Sequence, residues 1–204
     1  AGGQRGHRAA ARLMHRRELL DLLERYRARY PEDLVRVDHV RQFVRNHEDC
    51  FERSCVEGHI TGSAWVASRD GRRVVLVHHG KLDRWLQPGG HADGEREIHE
   101  VALREASEET GLTRIELAGT MPVDIDVHPI PARGDEPAHL HHDLRYLVYA
   151  DPDEEPRVSN ESHDVRWFDF EEALALNGEE GLRRLALRCV DPGETRQDGI
   201  AAPR

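Results

Sequence analysis

The chain has 204 residues, which suits one hydrophobic core of ordinary size with room for a small extension. Apolar residues make up 38% and charged residues 33%, so the chain is polar but not as polar as disordered proteins. A formal net charge of -10 argues against unspecific binding to a nucleic acid duplex or to an anionic membrane. A phosphorylated substrate would therefore need cations to mediate its binding.

The cysteines and the apolar runs indicate the cellular compartment in which the protein is expected. Cys50, Cys55 and Cys189 form no Cys-x-x-Cys pair and leave one thiol over in any disulfide scheme, which favours a reducing environment. The arginine-rich residues 5–17 are not followed by an apolar run of signal-peptide length, and no later segment approaches the length of a membrane span. We therefore expect a cytoplasmic protein with no membrane partner.

Residues 1–57 predict a helical extension. Apolar side chains recur at steps of three and four within residues 8–30, and Pro31 with the two acids after it suits the first turn of a second helix. The acids of this hairpin are interleaved with arginines, so it is not expected to supply a metal ligand. Its apolar stripes need a covering surface, either the chain's own core or a second copy in a homodimer.

A sheet domain is predicted from residue 58 to residue 190, followed by a polar tail at residues 191–204. Two β-prone runs, 60–68 and 74–79, flank an Asp-Gly turn, and a glycine-rich turn at 88–94 leads into a helix over 97–110 that Gly111 ends. The other predicted elements are a strand with one buried face at 121–128, an irregular loop at 128–137, strands at 140–149 and 165–168, and one or two helices within 171–187.

The helix over 97–110 carries acids where apolar residues are expected. With Ile98 at zero and about 100 degrees per residue, Glu105 and Glu109 fall within roughly 60 degrees of it, and Glu108 lies just beyond. Carboxylates on a buried arc repel one another and lose hydration unless a cation compensates them. Their spacing suits a shared ion, and oxygen ligands favour Mg²⁺ or Mn²⁺. The alternative is a solvated edge on which these acids merely pair with arginines.

The residues around these acids carry a family resemblance. Residues 90–112 read GHADGEREIHEVALREASEETGL, which resembles the Nudix box, G-x5-E-x7-R-E-U-x-E-E-x-G-U. The second half of the box fits at every required position. In the first half, Arg96 stands where the pattern has glutamate and Glu95 precedes it. A loop shorter by one residue would restore Glu95 to that position and pack it against Arg104.

The resemblance implies an α/β fold, an α/β/α sandwich around a mixed β-sheet, with the N-terminal helices as an extension. It implies that Glu105, Glu108 and Glu109 bind Mg²⁺ or Mn²⁺ and that the Gly90 carbonyl adds a ligand. Arg104 would orient these acids. The implied activity is hydrolysis of a phosphoanhydride bond in a small-molecule nucleotide, a nucleoside diphosphate linked to another group, by metal-activated water. Glu105 or Glu109 would be the general base.

Two regions outside the box offer further candidates. Many Nudix enzymes take another carboxylate from just before the last strand, where Glu161 is the first choice and Asp164 the alternate. Histidines cluster around the proline-rich loop, and Arg133, His141 and Arg145 are candidates for contact with the substrate. A Zn²⁺ site is the alternative for the His-x-His pattern at residues 139–141, but the sequence shows no third ligand.

Two other functions remain open on the same fold. A Nudix-like sensor would bind a nucleotide without cleaving it, and a degenerate box would favour it. Here Arg104 and all three glutamates of the second half are present. An isomerase such as isopentenyl diphosphate isomerase would need a cysteine at the site, whereas the cysteines lie far from the box in sequence.

Overall fold

A computed structural model describes residues 3–160, 162–176 and 180–190. Its helices are α1 (Gly3–Arg29), α2 (Leu34–Asn46), α3 (Ile98–Thr110), α4 (Phe170–Leu176) and α5 (Glu180–Val190), with a 3₁₀ turn at Pro31–Asp33. Its strands are β1 (Gly58–Ser68), β2 (Arg73–His79), β3 (Arg84–Leu86), β4 (Gly89–His91), β5 (Ile115–Leu117), β6 (Asp124–Ile130), β7 (His139–Ala150) and β8 (Ser162–Asp169).

The strands form one eight-stranded mixed sheet. The order β3-β2-β1-β7-β5 runs across it, with β4 beside β1, β6 beside β7 and β8 beside β2. Strands β1 and β7 are parallel from the pair Gly58 and Leu140 to the pair Ser68 and Ala150, whereas the other pairings are antiparallel. Every residue of β1 is buried, so the β1–β7 pair forms the middle of the molecule.

Helices cover both faces of this sheet. One hydrophobic cluster joins α1, α2 and α3 to one face, through residues that include Val101, Ile125 and Leu144. A second cluster joins α4 and α5 to the other face, through residues that include Trp65 and Leu185. The architecture is the expected α/β/α sandwich around a mixed sheet, with helices at the N-terminal side of the sheet domain.

The N-terminal helices dock on the chain's own core. Leu23 of α1 and Val40 of α2 are fully buried and belong to the same cluster as the sheet residue Leu144. Phe43 of α2 stacks on His142 of β7 with ring centroids 3.9 Å apart. The chain's own core therefore covers the apolar stripes, which is one of the two predicted arrangements. A homodimer stays a prediction.

The expectation of a single buried face is wrong for β6. The strand was predicted over 121–128, with its aspartates towards solvent, but it runs over Asp124–Ile130 and Asp124 is 0% exposed. Helix α5 covers the polar face and brings Arg184 and Arg188 to Asp124. The strand also continues into the loop predicted from residue 128. Alternation gives the period of a strand but not whether a later helix covers its polar face.

No helix in the described part of the chain is long and apolar enough to cross a membrane. The three cysteines are free and buried.

Candidate active site

Two glycines bring α3 close to the sheet. At Gly62 of β1 an added Cβ would lie 2.9 Å from Cγ2 of Ile98, the first residue of the helix. At Gly90 of β4, the register partner of Gly62, an added Cβ would lie 2.4 Å from Cδ of Glu105. Real Cβ atoms essentially never approach another atom within 3.0 Å. Glycine at position 90 therefore leaves the space that the Glu105 carboxylate occupies.

Arg104 holds Glu105 from the other side. Its Nη1 lies 2.8 Å from Glu105 Oε1 and 3.5 Å from Glu108 Oε2. Its Nη2 lies 3.5 Å from the carbonyl oxygen of His91, next to Gly90 on β4. The guanidinium thus links two of the three glutamates to the strand that carries the box glycine.

The position of Glu95 corrects one expectation. Its Oε1 accepts hydrogen bonds from the backbone N–H groups of Arg96 at 2.7 Å and Glu97 at 3.3 Å, which lowers the pKa of Glu95. Glu95 therefore lies at the start of α3. Among the described residues it forms no ion pair with Arg104, whose charge still contributes to the lowered pKa, so the predicted direct packing is replaced by an attraction over a longer distance. The ion pairs of Arg104 with described residues go to Glu105 and Glu108. Counting residues in a loop does not give the direction of their side chains.

The three glutamates of α3 differ in exposure. The Glu105 side chain is 15% exposed and that of Glu108 is 61% exposed, while Glu109 is half-buried. The expected burial therefore holds for Glu105 and Glu109 and is wrong for Glu108, which lies just outside the apolar arc. Among the described residues these three carboxylates do not form a group whose ligand atoms all lie within 4.8 Å of one another.

The donor set suits a hard divalent cation. Glu105 and Glu109 are half-buried one helical turn apart and offer oxygen ligands, and the Gly90 carbonyl, on a residue packed against Glu105, stays the predicted further ligand. Mg²⁺ and Mn²⁺ prefer such all-oxygen sites. The residues present therefore fit either ion.

Comparison with protein families decides the family. A model of the NUDIX domain matches residues 59–189, well over half of the chain. The chain belongs to the Nudix family.

A solved structure with a TM-score above 0.5 agrees with this assignment at the level of the fold. The Ap4A hydrolase of C. elegans in a binary complex has 16% sequence identity and a TM-score of 0.51, covering 63% of this chain and 93% of that one. A NUDIX-family hydrolase from Clostridium perfringens has 21% identity and a TM-score of 0.49, covering 64% of this chain and 95% of that one. No curated protein sequence matches the chain.

The sheet face opposite the Nudix helix α3 carries a network of buried charges. Arg145 places Nε 2.9 Å from Asp143, Nη1 3.3 Å from Asp124 and Nη2 3.1 Å from Asp126. Burial by itself would lower the pKa of Arg145, but the three aspartates outweigh it and raise that pKa. These carboxylates engage every nitrogen of the guanidinium, and its predicted contact with substrate stays a prediction.

The remaining candidates lie in different surroundings. Arg133 is exposed in the loop after β6, where its backbone pairs with that of Glu136, and His141 lies in a cluster of histidines on the polar sheet face. Glu161 lies outside the described residues. Its alternate, Asp164, is 44% exposed and lies 3.5 Å from Arg166. The roles predicted for these residues stay predictions.

A groove of about 600 Å³ lies further along β1 and is distinct from the Nudix glutamates. It is lined in part by Ser68, Arg69, Arg114 and Tyr149. Within it Arg69 pairs with Glu116 and Arg114 with Asp151, so acids of the same chain already engage its arginines.

Proposed function

We propose that the protein is a Mg²⁺- or Mn²⁺-dependent hydrolase that cleaves a phosphoanhydride bond of a nucleoside diphosphate linked to another group. The observation that carries this proposal is the setting of Glu105, a half-buried carboxylate held between Arg104 and a glycine whose missing side chain makes room for it. Such a carboxylate has lost much of its hydration, which a bound cation offsets.

Each residue of the box has a role in this proposal. Glu105, Glu108 and Glu109 hold the metal, with the Gly90 carbonyl and Glu161 as further ligands. Arg104 orients Glu105, and either Glu105 or Glu109 accepts the proton of the attacking water. The bound cation neutralises the diphosphate and activates water as the nucleophile.

The net charge of the chain and its membership of the Nudix family support the proposed substrate class. The net charge of -10 favours cations between protein and phosphate, and Arg133, His141 and Arg145 are the proposed candidates for contact with the part of the substrate beyond the metal. The classes to test are ADP-ribose, nucleotide sugars, noncanonical nucleoside triphosphates and dinucleoside polyphosphates. The name of the C. elegans relative adds Ap4A to the last class.

The thiols support hydrolysis over isomerisation by a cysteine. Burial raises the pKa of Cys50 to about 12 and that of Cys55 to about 11. Burial also raises the pKa of Cys189, so it disfavours the thiolate form of all three cysteines.

The test is a screen of these substrate classes with Mg²⁺ and with Mn²⁺, with both products identified by mass spectrometry. We expect turnover of at least one class, and we expect excess chelator to abolish it. Glu109→Gln should lower kcat by at least ~10²-fold because it removes a charged metal ligand. Glu100→Gln, on an exposed position of the same helix, is the matched control and should keep the wild-type rate.

Binding without cleavage distinguishes the alternative function. A nucleotide that binds in calorimetry but is not turned over with either metal would identify a sensor and overturn the hydrolase. Full turnover in excess chelator would overturn the metal dependence.

A further inference from the structure

Histidines from neighbouring strands meet on the polar face of the sheet. His59 of β1 is the register partner of His141 of β7, and His139 lies two residues before His141, on the same face. The ring centroid of His59 lies 4.8 Å from that of His139 and 4.9 Å from that of His141. Three imidazoles therefore surround one point between β1 and β7.

Two of these rings have the spacing of ligands on one ion. His139 Nδ1 lies 2.9 Å from the Pro137 carbonyl oxygen, and because a carbonyl only accepts, Nδ1 carries the proton and Nε2 keeps its lone pair. His139 Nε2 lies 3.3 Å from His141 Nε2, where it accepts an N–H hydrogen bond that a metal ion bound between the two nitrogens would replace. Two nitrogens on a tetrahedral ion, each about 2.0–2.1 Å from it, are about 3.3–3.4 Å apart. A backbone carbonyl on the other nitrogen is also a common partner of metal-binding histidines.

His59 supplies a third nitrogen. The residue is 2% exposed, and although the Cys55 backbone lies near the ring, neither ring nitrogen has a partner with hydrogen-bond geometry among the described residues. A buried polar group in this state is costly, and a bond to a metal ion would satisfy it. One ligand nitrogen each from His59, His139 and His141 lie within 4.8 Å of one another.

His59 and His141 lie in surroundings that favour the neutral form of imidazole, which is the form that binds metal. Burial and the adjacent imidazoles lower the pKa of His59 and lower that of His141 to about 2. Neutral rings do not have to lose a proton when an ion binds. The Glu136 carboxylate lies 3.8 Å from His139 Nε2, so an oxygen ligand is close to the same point.

We propose that His59, His139 and His141 bind one Zn²⁺ ion at a site separate from the carboxylates of α3. In this assignment the role of metal ligand replaces the substrate contact proposed for His141. Imidazole nitrogens suit Zn²⁺, whereas carboxylates and carbonyls suit Mg²⁺ and Mn²⁺, so the two sites select different ions. The fourth position of the tetrahedron falls to water or to Glu136. The His-x-His pattern of β7 gains its third ligand from the parallel neighbour β1.

The test uses Co²⁺ as a spectroscopic substitute for Zn²⁺ in the full chain after treatment with chelator. One equivalent should produce the intense visible bands of tetrahedral coordination, which Zn²⁺ abolishes and excess Mg²⁺ does not. His139→Ala and His141→Ala should each weaken Co²⁺ binding by more than ~10²-fold, since loss of an outer-shell partner alone typically costs 10–100-fold. His163→Ala, at an exposed position of β8, should bind Co²⁺ as the wild type does.

The Glu109→Gln variant tests whether the bands arise from the histidine site and not from the carboxylates of the box. It should keep the bands. Circular dichroism checks the fold of each variant. If His139→Ala unfolds, His141→Ala, at a partly exposed position, provides the test of metal binding. The proposal is wrong if the wild type shows no tetrahedral bands, if a folded His141→Ala variant keeps them, or if Glu109→Gln loses them.

Discussion

The carboxylate of Glu105 fills the space that a side chain at Gly90 would occupy. A Cβ added at residue 90 would lie 2.5 Å and 2.7 Å from the two oxygens of Glu105. The backbone of β4 and the acid of α3 are thus positioned by each other, and the fit depends on the absence of one carbon atom.

Gly90→Ala should therefore lower kcat by ~10²-fold, because displacing a catalytic group by about 1 Å can cost that much. Stability should change little, since Gly90 does not have a positive φ and the Glu105 side chain can rotate away. Initial rates at saturating metal and thermal unfolding measure the two effects. Gly119→Ala, where an added Cβ meets nothing within 4 Å, is the control. Equal rates for both variants would show that the contact does not position Glu105.

Asp124→Asn should destabilise the fold by about 3–5 kcal/mol, the usual cost of removing one partner of a buried ion pair. Asp124 is 0% exposed and pairs with Arg145, Arg184 and Arg188, which would lose a shared counter-charge. Urea unfolding measures the change, with Asp153→Asn at an exposed position as the control. A loss below about 1 kcal/mol, as at a surface pair, would contradict a role for this network in joining α5 to the sheet.

Leu23→Ala should lower the free energy of unfolding of the whole chain by about 2–5 kcal/mol, because Leu23 of α1 is fully buried in the shared core. Leu34→Ala, at a residue 40% exposed, is the matched control and should cost less. Tryptophan fluorescence, which comes from Trp65, Trp85 and Trp167 of the sheet, and far-ultraviolet circular dichroism should give the same urea midpoint. A fluorescence transition unmoved by Leu23→Ala would mean that the sheet unfolds independently and that the N-terminal helices are a separable appendage.

Glu154→Gln should destabilise the protein at pH 7 and lose its effect in acid. The carboxylate accepts hydrogen bonds from the backbone N–H groups of Arg114 and Thr113 and from the Thr113 hydroxyl, which lowers the pKa of Glu154 to about 2. A depressed folded-state pKa stabilises the fold above the usual value of 4.5, and this contribution disappears as the pH falls through about 2.

Melting temperatures of wild type and Glu154→Gln between pH 7 and pH 2 test this dependence. The difference should shrink below about pH 4.5 and vanish near pH 2, while Glu155→Gln, one residue further and exposed, should follow the wild type throughout. A difference that stayed constant over this range would show that the charge of Glu154 is not what matters.

Elements with local signals were predictable from the sequence. The end of α3 follows from Gly111, which adopts a φ of 66 degrees that other residues rarely take. The spacing of Arg104, Glu105 and Glu109 likewise predicted the family and the half-buried arc of α3. These predictions need only residues within a few turns of one another.

Contacts between distant segments were not predictable. The partner of the β6 aspartates is α5, and Arg184 lies 60 residues after Asp124. His59 was missed as a companion of the His-x-His pattern because only the register of β1 with β7 brings it there. A histidine near the start of another predicted strand was the available signal, but sequence alone does not say which strands are neighbours.

The parallel pairing of β1 with β7 constrains the order in which the protein folds. It aligns residues 82 positions apart, as with Thr61 and Asp143, so the intervening chain must close into a loop before the pair can form. The β6–β7 pair and helix α3 use residues closer in sequence and can form earlier, whereas pairings between distant residues are slow. A nascent chain therefore cannot complete the middle of its sheet until residue 150 has been synthesised.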